Sequence, residues 1–272
     1  MKIINVGDTI FPGEYRLHSQ FERVINFTNG TDFLAVVLPE VGNGPINVVF
    51  NKFECYPGNL LAIDQTSLWW GGRRFHYAPQ QIYQSALEVR DFDTQKFICN
   101  LLIFKEILIA LSPPKSLAFL FDPTRLKNFQ SGFEKALMER IASAIRELEN
   151  GNLSTGVQQM KGCGFGLTPS GDDFIAGMLI ALNLLQRLNK EDFSQQIERI
   201  YKSAKTDNIF SNIFLNLACK GLLFENMKKL IHAILHQEKQ QIVNCTRKLC
   251  SVGSTSGADL AAGFGFMLLM NL

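Results

Sequence analysis

One short pattern occurs twice in this chain and restricts its fold more than any other feature. Ser170-Gly171-Asp172-Asp173-Phe174-Ile175-Ala176-Gly177 and Ser256-Gly257-Ala258-Asp259-Leu260-Ala261-Ala262-Gly263 share the form Ser-Gly-x-Asp-apolar-x-Ala-Gly. Each copy opens an apolar run with helical spacing, so each reads as a helix start. The last glycine of each copy leaves a helix face without a side chain, where a second helix can approach closely. The expectation is that the two helix starts converge on one pocket. Asp172, Asp173 and Asp259 would then lie beside two turns rich in hydroxyls and backbone N–H groups.

The first copy follows Lys161-Gly162-Cys163-Gly164-Phe165-Gly166-Leu167-Thr168-Pro169. This is not the dinucleotide fingerprint, because its third glycine comes one residue early, nor a P-loop, because no Gly-Lys-Ser/Thr follows. Its parts are the same in kind. Glycines admit positive φ, and the free N–H groups and dipole of a helix start favour an anion. The candidate ligand-binding residues are Gly162, Gly164, Gly166, Thr168, Ser170 and Gly171 in the first copy, and Thr255, Ser256 and Gly257 in the second. Asp172, Asp173 and Asp259 are the candidate catalytic residues, able to orient an amide N–H2 or to hold a divalent metal such as Mg with a phosphate. The competing reading is a plain capping box, with Ser170 as N-cap and Asp173 closing it. That explains two residues but not three glycines in five.

The remaining chain changes character near residue 95. Before it, short β-rich runs at 24–27, 33–38, 46–50, 60–63 and 73–77 alternate with turns such as Asn29-Gly30-Thr31-Asp32 and Asn43-Gly44-Pro45. They predict a small antiparallel sheet or barrel. After it, helical periods predominate, with candidates at 97–111, 129–148, 171–189, 192–205, 208–222, 225–237, 238–249 and 257–270, and the stretch 149–170 reads as loop. The expected class is α+β: a β-rich domain over 1–95 and a larger all-α domain over 96–272 carrying the glycine-rich loop at a helix N-terminus. No strand–helix alternation supports a doubly wound nucleotide-binding sheet.

Charge narrows the partners. Lys and Arg number 27 against 25 Asp and Glu, a formal net charge of +2, with no basic run to track phosphates, so nucleic acid is excluded as a partner. The start shows no secretory pattern, and the apolar windows are broken or too short for a bilayer span, so a cytoplasmic location away from membranes is expected. The six Cys form no C-x-x-C pair and read as reduced, structural thiols. Cys163 would need a base to act as a nucleophile, and none is identifiable. His232 and His236 stand four apart on one helix face without an accompanying acid. Lys161 is the one basic residue in either motif, so charge for a bound phosphate would come from a partner chain, or from Lys205 or Arg247 by folding.

With these residues in view, the sequence resembles the AllH-type family, subunits of oxamate carbamoyltransferase in allantoin and purine breakdown. The likeness rests on the stretch 162–173 continued to Gly177, and on Gly253-x-Thr255-Ser256-Gly257-Ala258-Asp259. Ser211 with Leu215, Ala218 and Gly221 forms a weaker middle motif, and Arg23-x-Ile25-Asn26 a weaker N-terminal one. The resemblance implies carbamoyl transfer between oxamate or a related acceptor and phosphate, giving carbamoyl phosphate, with activity in a multi-subunit complex. Two alternatives stay open: a non-catalytic metabolite-binding or scaffolding subunit, and a metal-dependent hydrolase or lyase of a small amide.

Overall fold

The computed structural model of the chain describes residues 1–53, 58–89, 91–189 and 191–272. Cys55 lies outside the described residues. The chain divides into two compact units, Met1–Ala86 with Leu222–Glu225, and Leu87–Gly221 with Asn226–Leu272.

The first unit is built on β1 (Ile3–Gly7), β2 (Gly13–Gln20), β3 (Val24–Thr28), β4 (Phe33–Val37), β5 (Asn47–Phe50), β6 (Leu60–Ile63), β7 (Ser67–Trp70), β8 (Arg73–His76) and β9 (Ile82–Tyr83). They form one nine-stranded sheet in the order β8-β7-β6-β2-β3-β4-β5-β1-β9. It is mostly antiparallel, as expected, but β4–β5 and β1–β9 pair in parallel. The β3–β4 hairpin forms where the Asn-Gly turn predicts it. Asn29 Oδ1 accepts from the N–H groups of Thr31 at 2.9 Å and Asp32 at 2.6 Å, and Gly30 takes the positive φ of 96° that the turn requires.

The sheet curls because its large side chains must share one core. Phe50 on β5 packs on Phe75 of β8 at 5.0 Å and on Trp70 of β7 at 6.1 Å, although several strands separate them in the sheet. Trp70 also meets Phe27 edge-on at 5.7 Å. Leu222–Glu225 closes this unit: Leu223 N–H donates to the Ser85 carbonyl, and Glu225 Oε2 accepts from the Asn43 backbone and side chain at 2.8 and 2.9 Å. The Asn43-Gly44-Pro45 turn is thus held by a carboxylate from a distant part of the chain.

The second unit is helical: α1 (Thr94–Leu111), α2 (Gly132–Glu149), α3 (Leu153–Met160), α4 (Ser170–Asn189), α5 (Ser194–Ala204), α6 (Ile209–Cys219), α7 (Glu225–His236), α8 (Lys239–Cys250) and α9 (Ser256–Met270). Its local signals act as expected at several ends. Asp93 caps α1, Ser131 and Glu134 form a capping box on α2, and Asn208 Oδ1 caps α6. Where Pro113-Pro114 ends α1, Arg125 donates to the carbonyls of Ile109, Ser112 and Pro113.

Two local expectations fail here. Residues 153–160, read as loop, form α3, because Gly156 lets the chain lie against Leu148 and Ala144 of α2. Phe133, which stands at the same four-residue spacing as Leu137, Ile141 and Ile145 and would be expected on the apolar stripe of α2, is 58 % exposed, while Ile141 and Ile145 are buried.

The unit is centred on α4 and α9, which are apolar nearly all round and buried along most of their length, as helices surrounded by other helices must be.

Candidate functional site

The two copies of the repeated pattern open α4 and α9, and these helices cross at their last motif glycines. A Cβ on Gly177 would stand 2.1 Å from the Leu260 carbonyl oxygen, and one on Gly263 would stand 1.9 Å from that of Phe174. Phe174 and Leu260 are themselves matching positions of the two copies, so the contact is reciprocal, and only glycine permits it on either side. The first glycines of the two copies match as well. A Cβ on Gly171 would strike the Met160 carbonyl at the end of α3, and one on Gly257 the Leu249 carbonyl near the end of α8. Each helix start is therefore pressed against the helix preceding it. The unit holds two like modules, α3–turn–α4 and α8–turn–α9, facing each other.

This packing brings the two N-termini together. Thr168 Oγ1 lies 3.4 Å from Ser256 Oγ, and Ser170 Oγ lies 3.5 Å from Thr255 Oγ1. Thr168 also donates to Asp173 Oδ2 at 3.2 Å. Asp173 is favoured as an anion by Ser256 of the other module, and Asp259 by Ser170 of the other module. Thr168, Ser170, Asp173, Thr255, Ser256 and Asp259 thus form one cradle. The capping-box reading of Ser170 does not hold: α4 already includes Ser170, the Pro169 carbonyl accepts from Asp173 N–H, and the Ser170 hydroxyl faces Thr255.

The glycine-rich loop runs along one side. Gly162, Gly164 and Gly166 all take positive φ, 70°, 120° and 100°, in the left-handed region that favours glycine. Among the described residues, the N–H groups of Gly164, Phe165, Gly166, Leu167 and Thr168 donate no hydrogen bond. Phe165 is 71 % exposed and its ring lies 5.0 Å from that of Phe133, whose exposure on α2 is matched by this contact. The loop is pinned at both ends. Asp172 Oδ1 accepts from Gly162 N–H at 2.7 Å and its Oδ2 from Ser211 Oγ at 2.6 Å, while Asn208 Nδ2 donates to the Leu167 carbonyl at 2.8 Å.

The three aspartates differ sharply. Asp172 is buried with both oxygens engaged by the protein, which makes it a clamp between loop and α6. Asp173 keeps part of its surface, yet its carboxyl is densely enclosed. Burial pushes it well above the ordinary carboxylate range, the charges of Asp259 and Asp172 raise it further, and hydrogen bonds from Ser256 and Thr168 oppose the rise. Asp259 is fully buried and raised to about 6 by burial, against opposing hydrogen bonding from Leu117 N–H, Ser170 and Thr255. Its Oδ1 accepts from Leu117 N–H at 2.6 Å, whereas Oδ2 has no well-formed hydrogen bond among the described residues.

Among the described residues, no Lys, Arg or His pairs with Asp172, Asp173 or Asp259. Lys161 Nζ donates to the Lys205 carbonyl, Lys205 stands over the Tyr201 ring, and Arg247 is exposed on α8. Cys163 is buried in the loop with its thiol pushed upward by burial, and its Sγ donates to the Gln159 carbonyl, so it is not an activated nucleophile. Nor do the three aspartates fit a divalent metal as they stand. Among the described residues no group of three or more His, Cys, Asp or Glu is arranged to hold one. Asp172 has spent both oxygens, and Asp259 one, on N–H and O–H donors.

The functional residues that sequence reasoning did not single out are Asn208 and Leu117. Asn208 carried only a helix-start signal, and Leu117 contributes a backbone N–H, which no side chain announces.

Residues 160–268 match the family model described as oxamate carbamoyltransferase subunit AllH, a stretch that includes both helix starts of the cradle and the motifs on which the resemblance rests. No solved structure matches the chain. No helix among the described residues is long and apolar enough to cross a membrane.

Proposed function

We propose that the cradle between α4 and α9 binds a carbamoyl compound and phosphate, and that the chain serves carbamoyl transfer in purine catabolism as one subunit of a larger assembly. The observation that carries this reading is the convergence of two helix N-termini and their four hydroxyls on the acids Asp173 and Asp259, beside the open N–H groups of the 164–168 loop. In the reaction a phosphate oxygen attacks the carbamoyl carbon, the C–N bond to the acceptor breaks, and the released nitrogen takes a proton. The N–H groups of the 164–168 loop suit the phosphate oxygens, and with Asp173 protonated the Thr168 and Ser256 hydroxyls are released to the developing oxyanion. Asp173, biased toward its protonated form, suits the proton donor. Among the described residues no cation pairs with the acids of the cradle, which favours a partner subunit as the source of positive charge for the phosphate.

A metal-dependent hydrolase is the weaker reading, because Asp172 spends both of its oxygens and Asp259 one on protein donors. The test is phosphate-dependent cleavage of N-carbamoyl-oxamate by the chain assembled with its partner subunits. Asp173→Asn should lower kcat by about a hundredfold or more while leaving the far-ultraviolet circular dichroism unchanged. A variant that keeps wild-type kcat removes Asp173 from the chemistry. Failure of the assembled protein to turn over any carbamoylated acid removes the reading itself.

A further inference from the structure

Asp259 Oδ2 is a buried side-chain atom of the cradle whose hydrogen bonding the described residues do not complete. The residue is 0 % exposed, and its Oδ2 is buried without a well-formed hydrogen bond among the described residues. A buried polar oxygen left in this way is costly, and it points to a donor that arrives with a ligand. The other oxygen defines which donor. Leu117 N–H can only donate, and it holds Oδ1 at 2.6 Å, so the carboxyl is fixed with Oδ2 turned to the side of Ser170 and Thr255.

A ligand ammonium group would bring positive charge to the positive ends of two helices, which disfavours it. A neutral planar N–H2 suits the place: one hydrogen to Oδ2, the other to a hydroxyl of Ser170 or Thr255, which stand 3.5 Å from each other. We propose that Asp259 Oδ2 accepts a hydrogen bond from a primary-amide N–H2 of the ligand, and that Asp259 thereby distinguishes an amide from a same-shaped group that cannot donate. This rests on the carbamoyl reading above and assigns the atom that recognises the amide nitrogen.

The isosteric change Asp259→Asn tests it, because Leu117 N–H dictates the orientation of the new amide. Its oxygen must face Leu117, so its N–H2 takes the place of Oδ2 and an acceptor becomes a donor. The chain assembled with its partner subunits is titrated calorimetrically with four probes and inorganic phosphate. Oxamate against pyruvate, and carbamoyl phosphate against acetyl phosphate, each exchange N–H2 for CH3 at nearly constant shape. The wild type is expected to prefer the amide member of at least one pair by about ten- to a hundredfold, and that pair identifies which ligand the atom reads. Asp259→Asn should reduce the preference to within about threefold while inorganic phosphate still binds. Asp259→Ala, which removes the acceptor without adding a donor, should also abolish the preference, and it reports independently if the Asn variant does not fold.

A wild type without preference, or variants that keep it, overturns the role of Asp259 while phosphate and carbamoyl phosphate binding preserve the carbamoyl reading. An assembled protein that binds none of the probes overturns both.

Discussion

Asp259 should make the protein less stable at neutral pH than it would be without the charge, and the size of that effect follows from its surroundings. Burial raises its carboxyl from the ordinary aspartate value of 3.8 to about 6. A difference of about two units corresponds to about 3 kcal/mol between folded and unfolded states. The sign is that of a raised acid. The folded protein prefers the neutral form, so the stability attached to this group is complete below about pH 4, is lost as pH rises through about 6, and stays lost above. Asp259→Asn removes the titration but keeps an acceptor oxygen for Leu117 N–H. Its new N–H2 can donate to Ser170 or Thr255, with about 1 kcal/mol lost to imperfect geometry.

The variant is therefore expected to be about 2 kcal/mol more stable than wild type at pH 7.5 and equal to it or slightly weaker at pH 4. The assay is urea unfolding of both proteins at each pH, followed by circular dichroism. The diagnostic quantity is the wild-type-minus-variant difference, from which groups common to both proteins cancel. A variant that is less stable than wild type at pH 7.5, or a difference that does not change with pH, would refute the reasoning. A charge kept at a cost in stability is the pattern expected of a residue retained for function.

Two further substitutions probe the frame of the cradle. Gly263→Ala places a methyl where the Phe174 carbonyl already stands 1.9 Å away, so α4 and α9 must separate, at a cost of about 1–3 kcal/mol in urea unfolding; unchanged stability would contradict the close crossing. Ser211→Ala leaves Asp172 Oδ2 buried without its 2.6 Å donor and should cost a similar amount, with faster hydrogen exchange at Gly162, whose N–H is held by the same carboxylate; exchange that stays slow would show that the loop does not depend on this clamp.

Much of the helical unit was legible because its signals are local. The boundaries of α4 and α9 follow from apolar periodicity and from Ser-Gly-x-Asp at each start, and the pairing of Gly177 with Gly263 was foreshadowed by their common position in the repeat. The β3–β4 hairpin was equally plain from Asn29-Gly30. Other features have no local mark. Strands β1, β2, β7 and β9 went unrecognised because short strands gain their identity from neighbours in a sheet, and the parallel β4–β5 pairing depends on chain path. Leu222–Glu225 reads as a helix junction, yet it belongs with the sheet, since nothing within it names Asn43 as the partner of Glu225. Helix α3 was hidden because its glycine suggests a loop until Leu148 and Ala144 are seen against it.

By itself the sequence determined the α+β class, the two helix starts and the inventory of hydroxyls, glycines and carboxylates available to the cradle. These depend on backbone propensity and on spacing along the chain. The tertiary structure decided the differences among the three aspartates, which no spacing encodes. Asp172 and Asp173 are neighbours in sequence, but one is consumed by Gly162 and Ser211 while the other shares a cradle with a helix start from the far end of the chain. Asp259 is set apart by a single backbone N–H from Leu117. A carboxyl's charge and free lone pairs depend on what surrounds it in space, and that is settled only when the helices pack.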